Sequence, residues 1–293
     1  MLRSLTLALV ALTAVSAPSL AQDPVQPFAD ATRVVVVGGS LLEMVYALGE
    51  EKRLVARDST GVYPPEAQAL PDVGYMRALS PEGVLAVNPT ALLVVEGSGP
   101  PEALEVLSKG SVPYVTVPED FSHAGILAKV RAVGAALGVP DKAEALAQKL
   151  DAELTAAEAA TSAIPADERQ RVLFVISAQD GKIRAAGSHT AANAIITLAG
   201  GINPLADMQG YQTLSDEALL AANPDVVLMM SNGGQGDFSA DLAANPALAA
   251  SPALTNGRIL KLDGAYLLGF GPRTPAAILE LAADLYGDRI VRP

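Results

Sequence analysis

Cysteine and tryptophan are absent from this 293-residue chain, and histidine occurs only twice. No disulfide can form, no thiolate can bind a metal or act as a nucleophile, and two imidazoles are too few for a multi-histidine zinc or copper site. Lys and Arg number 20 against 32 Asp and Glu, so the basic surface that nucleic acid requires is lacking. Catalytic signatures are missing too. There is no Gly-x-Ser-x-Gly elbow, no Walker loop, no His-Glu-x-x-His and no dinucleotide fingerprint after the first strand. The expectation is therefore a protein that is not an enzyme, with a secreted hydrolase of unrecognised site as the surviving alternative. Past the first 21 residues no apolar run is long enough to span a bilayer.

Half of the residues are apolar, ample for real cores in one or two domains. At the start, Arg3 precedes an apolar run from Leu5 to Val15, and the small residues Ser19 and Ala21 close the segment. This reads as a signal peptide over 1–21, cleaved after Ala21. A bacterial periplasm is the simplest destination, and no cysteine follows to carry a lipid anchor.

Arg33 to Val37, Leu54 to Ala56, Ala91 to Val95 and Tyr114 to Val117 read as buried strands, alternating with helical segments. That alternation indicates a parallel sheet covered on both faces. From Ser122 to Ser162 the pattern is helical alone, and its second part is rich in Ala, Glu, Leu and Lys. The same grammar then restarts with a strand at Val172 to Ser177, a helix from Thr190 to Ala199, and a last strand at Arg258 to Leu262. The reading is an α/β protein of two similar lobes with parallel sheets and a ligand cleft between them. Residues 30–139 form the first lobe, 140–164 one long connecting helix and 165–293 the second.

A duplication supports the two lobes. Leu79-Ser-Pro-Glu-Gly-Val-Leu-Ala-Val-Asn-Pro89 aligns without a gap on Leu214-Ser-Asp-Glu-Ala-Leu-Leu-Ala-Ala-Asn-Pro224, and the match continues into the following strand. With a one-residue slip, Gly74-Tyr75 also meets Gly210-Tyr211. Asn88-Pro89 and Asn223-Pro224 read as helix stops.

Tyr75 and Arg77 lie in the loop before the first copy, at the carboxyl ends of the strands, where open α/β sheets bind ligands. A phenol, with a pKa of roughly 10, binds a metal only if the ion is hard and highly charged, such as ferric iron, or if a neighbouring cation favours the phenolate. In an extended loop, residues two apart project to one side, so Arg77 can serve Tyr75. A surface Tyr with an incidental Arg neighbour remains the competing reading. Glu82 and Glu217 hold equivalent places in the first turns of the duplicated helices. Complementing the helix dipole accounts for them, and so does a pair of anionic docking points, one on each lobe. His189 stands at a helix start as a possible second axial ligand or a solvent-exposed neighbour of the cap. Met229 and Met230 suit either an apolar pocket wall or core packing. Lys182, Arg184 and Arg273 are candidates for carboxylate contacts.

Val37-Gly-Gly-Ser-Leu-Leu-Glu-Met-Val-Tyr-Ala-Leu-Gly49, Leu70-Pro-Asp-Val-Gly-Tyr75, Gly74-Tyr-Met-Arg-Ala-Leu-Ser80 and Gly271-Pro-Arg-Thr-Pro275, with one Glu per lobe, resemble the periplasmic haem-binding proteins of ABC importers. These are a branch of the vitamin B12 and ferric-siderophore binding-protein group, and the likeness covers essentially the whole mature chain. The resemblance implies a transported ligand, ferric protoporphyrin IX, with Tyr75 as phenolate ligand of the iron and Arg77 bonded to the phenolate or a propionate. It implies a haem site walled by Met76 and Met229, with His189 as a substitute second ligand. It also implies docking of Glu82 and Glu217 onto arginines of an inner-membrane permease dimer by a monomeric carrier. A ferric siderophore or corrinoid is the alternative cargo within the same class. Two departures are visible: relatives often carry a His where Ala178 stands and an Arg where Asn232 stands.

Overall fold

A computed structural model describes residues 25–231 and 237–292. The signal peptide expected over 1–21 and Asn232 lie outside the described residues. Four strands form the first sheet: β1 (Val34–Val37), β2 (Leu54–Arg57), β3 (Ala91–Val95) and β4 (Tyr114–Val117), in the order β2-β1-β3-β4. Every pairing is parallel. The unbroken valine run of β1 has no polar face because both faces are covered. Val34 and Val36 enter one core cluster while Val35 and Val37 enter another. Helices α1 (Gly39–Ala47), α2 (Pro81–Leu85) and α3 (Pro101–Ser108) connect the strands, and α4 (His123–Ala136) leads out of the lobe.

The long helix α5 runs from Pro140 to Ser162. Its buried residues Ala143, Ala147, Leu150, Leu154, Ala157 and Thr161 recur every three or four positions, one stripe of a 3.6-residue period. That stripe belongs to the core cluster that also takes in Val34 of the first sheet and Phe174 of the second. The helix therefore joins the halves by shared packing as well as by covalent continuity.

The second sheet is β5 (Val172–Gln179), β6 (Lys182–Ala186), β7 (Tyr211–Thr213), β8 (Val226–Met230) and β9 (Ile259–Leu262), ordered β7-β6-β5-β8-β9. Strands β5, β8 and β9 are parallel, as expected. The sheet is nonetheless mixed, because β5, β6 and β7 pair antiparallel. The cause is Asp180-Gly181, both at positive φ (50° and 74°), a two-residue turn that suits a hairpin. Helix α6 (Ala191–Leu198) follows β6, and α7 (Asp216–Ala222) follows β7. The short helices α8 (Ser239–Ala244), α9 (Pro246–Ala249) and α10 (Pro252–Thr255) lie between β8 and β9, and α11 (Gly264–Leu268) and α12 (Thr274–Tyr286) complete the chain.

The duplicated segments fold alike. Ser80 and Ser215 cap α2 and α7 by accepting from the backbone N–H groups of Gly83 and Ala218, a contact worth about 1 kcal/mol at such positions. Asn88 and Asn223 both take the left-handed conformation, with φ of 49° and 37°, which confirms them as stops. The likeness extends to a pair that the alignment does not contain. Arg33 donates to the carbonyls of Asn88 and Val87, and Arg171 donates to that of Ala222. Each arginine precedes the first strand of its lobe and places a cation on the unpaired carbonyls at the end of the duplicated helix.

The segment after α11 reaches back to the first lobe. Arg273 makes two hydrogen bonds to Glu43 on α1, of 2.8 and 2.5 Å, and its guanidinium lies 3.8 Å over the Tyr63 ring. Lys129 of α4, with no exposed side-chain surface, donates to the carboxylate of Glu119 and, at 3.0 Å, to the carbonyl of Phe270. These two clamps and α5 oppose hinge opening.

Candidate functional site

The loop carrying Tyr75 is pinned from below. Asp58, 1% exposed, follows β2 and accepts from the N–H groups of Gly38 (2.9 Å), Thr60 (3.1 Å) and Met76 (3.2 Å) and from the Thr60 hydroxyl. One carboxylate thus ties together the turn after β1, the loop after β2 and the Tyr75 loop. Burial pushes the Asp58 carboxyl up from its ordinary range, and the N–H donors pull against that shift. Ser59 N–H donates to the carbonyl of Gly74, and Gly99 N–H to that of Met76. Met76 is accordingly half-buried and packs against two core clusters.

Above this base Tyr75 is 47% exposed, and Arg77 is exposed as well. The backbone is not the extended loop of the sequence expectation. Ala78 N–H donates to the Tyr75 carbonyl at 2.7 Å, closing a tight turn that leaves both side chains outside. The turn stands at the carboxyl end of the parallel strands, where the sequence expectation put it.

In the second lobe Tyr211 is half-buried at the start of β7, paired with Ala186 of β6. Its ring meets Phe174 edge-on at 6.5 Å, and the Arg184 guanidinium lies 5.9 Å from its centroid. Burial raises the Tyr211 phenol above its usual range, Arg77 and Arg184 pull it down, and Tyr75 pushes it up. Tyr75 and Arg77 of the first lobe therefore share one electrostatic environment with Tyr211 and Arg184 of the second. Neither Tyr211 nor Arg184 was among the residues expected to touch iron. The Gly74-Tyr75 to Gly210-Tyr211 match was the available signal.

The other expected residues fall as follows. His189 is exposed, has φ of 57° and immediately precedes Thr190, the N-cap of α6. The Ser188–Gln209 bridge sets it beside the Tyr211 segment. Met229 needs a correction as a pocket wall: it is 1% exposed and packs with Phe238 and Leu242 inside the second lobe. The alternation along β8 turns it inward, and the half-buried Met230 takes the other side. Arg273, a candidate carboxylate binder, already holds Glu43. Ala178 lies buried within β5 rather than in the turn after it. Glu82 and Glu217 are both exposed in the first turns of α2 and α7. Backbone and Ser215 hydrogen bonds hold the Glu217 carboxyl below the ordinary range. One helical turn beyond each acid is an exposed leucine, Leu85 (38%) and Leu220 (56%).

Replacing Asp58 by Ala strands several buried N–H donors, each costing about 1–3 kcal/mol. The expected result is a lower urea midpoint together with looser placement of Tyr75, read as faster hydrogen exchange at Met76. Unchanged exchange there contradicts the pinning role.

Among the described residues no helix is long and apolar enough to cross a membrane. The family described as "Periplasmic binding protein" matches residues 34–266. A structure of the periplasmic heme-binding protein BhuT in complex with two hemes is 40% identical, covers 86% of this chain and 97% of its own, and superposes with a TM-score of 0.80. The apo periplasmic heme-binding protein RhuT from Roseiflexus sp. RS-1 is 37% identical over 88% of this chain and 98% of its own, with a TM-score of 0.82. An uncharacterized ABC transporter substrate-binding lipoprotein, YvrC of Bacillus subtilis, is 25% identical over 87% of this chain and 80% of its own length. The vitamin B12-binding protein of Pectobacterium atrosepticum is 24% identical over 86% and 88%.

Proposed function

This chain belongs to the periplasmic binding protein family, and we propose that it captures ferric haem in the periplasm and delivers it to an ABC importer. The carrying observation is the exposed Tyr75 phenol, held on a turn pinned to buried Asp58 and opposed by a second lobe. A haem brings four nitrogen ligands of its own, so the protein need supply one hard oxygen donor, and ferric iron prefers a phenolate. Arg77, exposed on the same turn, can bind a propionate, and Met76 supplies apolar surface beside the ring. The likeness to BhuT and RhuT supports haem over other cargo. Hemin titrated into the purified protein is expected to give a saturable visible spectrum of phenolate-bound ferric iron. Hydroxocobalamin, the matching cargo of the B12-binding relatives, is expected to bind far more weakly. Tight cobalamin binding with no hemin spectrum overturns the reading.

Delivery uses the exposed sides of α2 and α7, where each lobe presents one acid and one leucine at equivalent places: Glu82 with Leu85, Glu217 with Leu220. Two matched anionic points suit a permease dimer that offers one basic site per half. Exchanging Glu82 and Glu217 together for Ala leaves hemin affinity unchanged and lowers hemin uptake into vesicles containing the permease by about tenfold or more. Normal uptake by the double variant removes the docking role.

A further inference from the structure

We propose that Arg273 is a positioning residue for the cargo: it fixes the separation of the two lobes in the empty carrier and so keeps the cleft to the width of a flat ligand. The inference rests on the haem reading above for the identity of that ligand. Arg273 stands at the N-cap of α12, at the end of the second-lobe segment that follows β9 and α11. The groups that fix its charge belong to the first lobe. Glu43 of α1 accepts from its Nε at 2.8 Å and from a terminal nitrogen at 2.5 Å, the two-point geometry that makes a guanidinium–carboxylate pair directional. The Tyr63 ring lies 3.8 Å from the guanidinium, within range of a cation–π contact, and Tyr266 of its own lobe is 5.0 Å away.

This is not a screened surface contact. The Glu43 side chain is 8% exposed and that of Arg273 24%, so water and salt compete weakly for the pair. Gly271 lies against the same helix, where a Cβ added to it would meet Ser40 at 3.5 Å. Val62, Tyr63 and Gln68 of the first lobe and Asp263 and Arg273 of the second line one cavity of about 310 Å³, which sets the contact in the space between the lobes. Glu43 stands on the helix that follows β1, and Asp263 directly follows β9, so the contact joins the carboxyl ends of the two sheets, the side on which such sheets bind ligands. The start of α1 is also tied to the Tyr75 turn, because Gly38 N–H and Met76 N–H both donate to Asp58. Loss of Arg273 therefore frees the second lobe to move against the body that carries Tyr75. A porphyrin held by one axial oxygen is a thin plate, whereas a corrinoid carries groups on both faces of its ring and needs a wider gap. A separation set in advance admits the first, excludes the second and lowers the ordering cost of binding.

The chain has no cysteine, so Ser108→Cys on α3 and Ala221→Cys on α7, both exposed, carry one spin label per lobe, and double electron-electron resonance reads the distance between them. In this labelled parent, Glu43→Gln with Arg273→Met removes both charges together and leaves no uncompensated buried carboxylate, so its urea midpoint should stay near that of the parent. The Lys129 contact to Phe270 and α5 remain and keep the lobes joined. The empty double variant is expected to give a longer and broader distance distribution than the empty parent, whereas hemin leaves the parent distribution unchanged. Its preference for hemin over hydroxocobalamin, taken as the ratio of dissociation constants, is expected to fall about tenfold. Arg273→Lys keeps the charge without the two-point contact and should fall between the two; it decides by the same readouts if the double variant does not fold. Parent-like distances in the variants overturn the proposal, as does a wider distribution with an unchanged cargo ratio or a parent distribution that shifts when hemin binds. A parent protein that takes up no hemin sinks the haem reading and the selectivity with it, while the distances in the empty proteins still decide whether Arg273 sets the separation.

Discussion

Tyr75→Phe is expected to bind hemin at least about a hundredfold more weakly than the parent protein, a change of roughly 2.8 kcal/mol, while unfolding at the same urea concentration. The substitution deletes one oxygen and keeps the ring. Nearly half of the side chain is in solvent, and no packing depends on its hydroxyl, so stability should not move. Binding should, because under the proposed function the phenol oxygen is the donor that the iron would lose. The turn itself persists, since it is closed by backbone from Ala78 to Tyr75 and anchored through Met76 to Asp58. Hemin affinity within threefold of the parent would show that the phenol does not hold the iron.

The second large effect concerns stability. Lys129 is fully buried, and its ammonium is shared between Glu119 and the carbonyl of Phe270. Burial pulls the Lys129 ammonium down from its ordinary range, and Glu119 opposes that pull. Lys129→Ala leaves Glu119 as a largely buried carboxylate without its cation, and a buried pair broken in this way costs about 3–5 kcal/mol. It also releases the Phe270 carbonyl and with it one of the two clamps between the first lobe and the segment that returns from the second. Denaturant unfolding should show the loss directly. Glu119→Gln added to Lys129→Ala should recover part of it, because the uncompensated charge is then gone. A loss below about 1 kcal/mol for Lys129→Ala would mean that water reaches the site and the clamp carries little.

The parallel strands, the long connecting helix and the duplicated helices were legible because each has a periodic or self-similar signal. Val34–Val37 admits no exposed face, α5 repeats its small apolar residues at helical spacing, and the serine caps and asparagine stops occur in both halves. The antiparallel hairpin was less visible, since β6 is short and alternates exposed Lys182 and Arg184 with buried Ile183 and Ala185. The Asp180-Gly181 pair was the one local signal for it, and the sequence reading of a parallel sheet did not use it. Met229 illustrates a different limit: strand residues alternate between faces, and which face is the pocket depends on what packs behind the sheet. The Arg33 and Arg171 caps, the Glu43–Arg273 clamp and the pairing of Arg184 with Tyr211 join residues far apart in the chain, with no local spacing to mark them. Tyr75 could be singled out because it combines a phenol, a nearby guanidinium and a position at the strand ends.

The central claim is that the Tyr75 oxygen binds the iron of a captured haem. Resonance Raman spectra of the hemin-loaded protein, excited in the phenolate-to-iron charge-transfer band, address it directly. Tyrosinate ring modes should be present in the parent protein and absent from Tyr75→Phe. Hemin bound at full stoichiometry with no tyrosinate modes, or with modes that survive in Tyr75→Phe, would contradict the account.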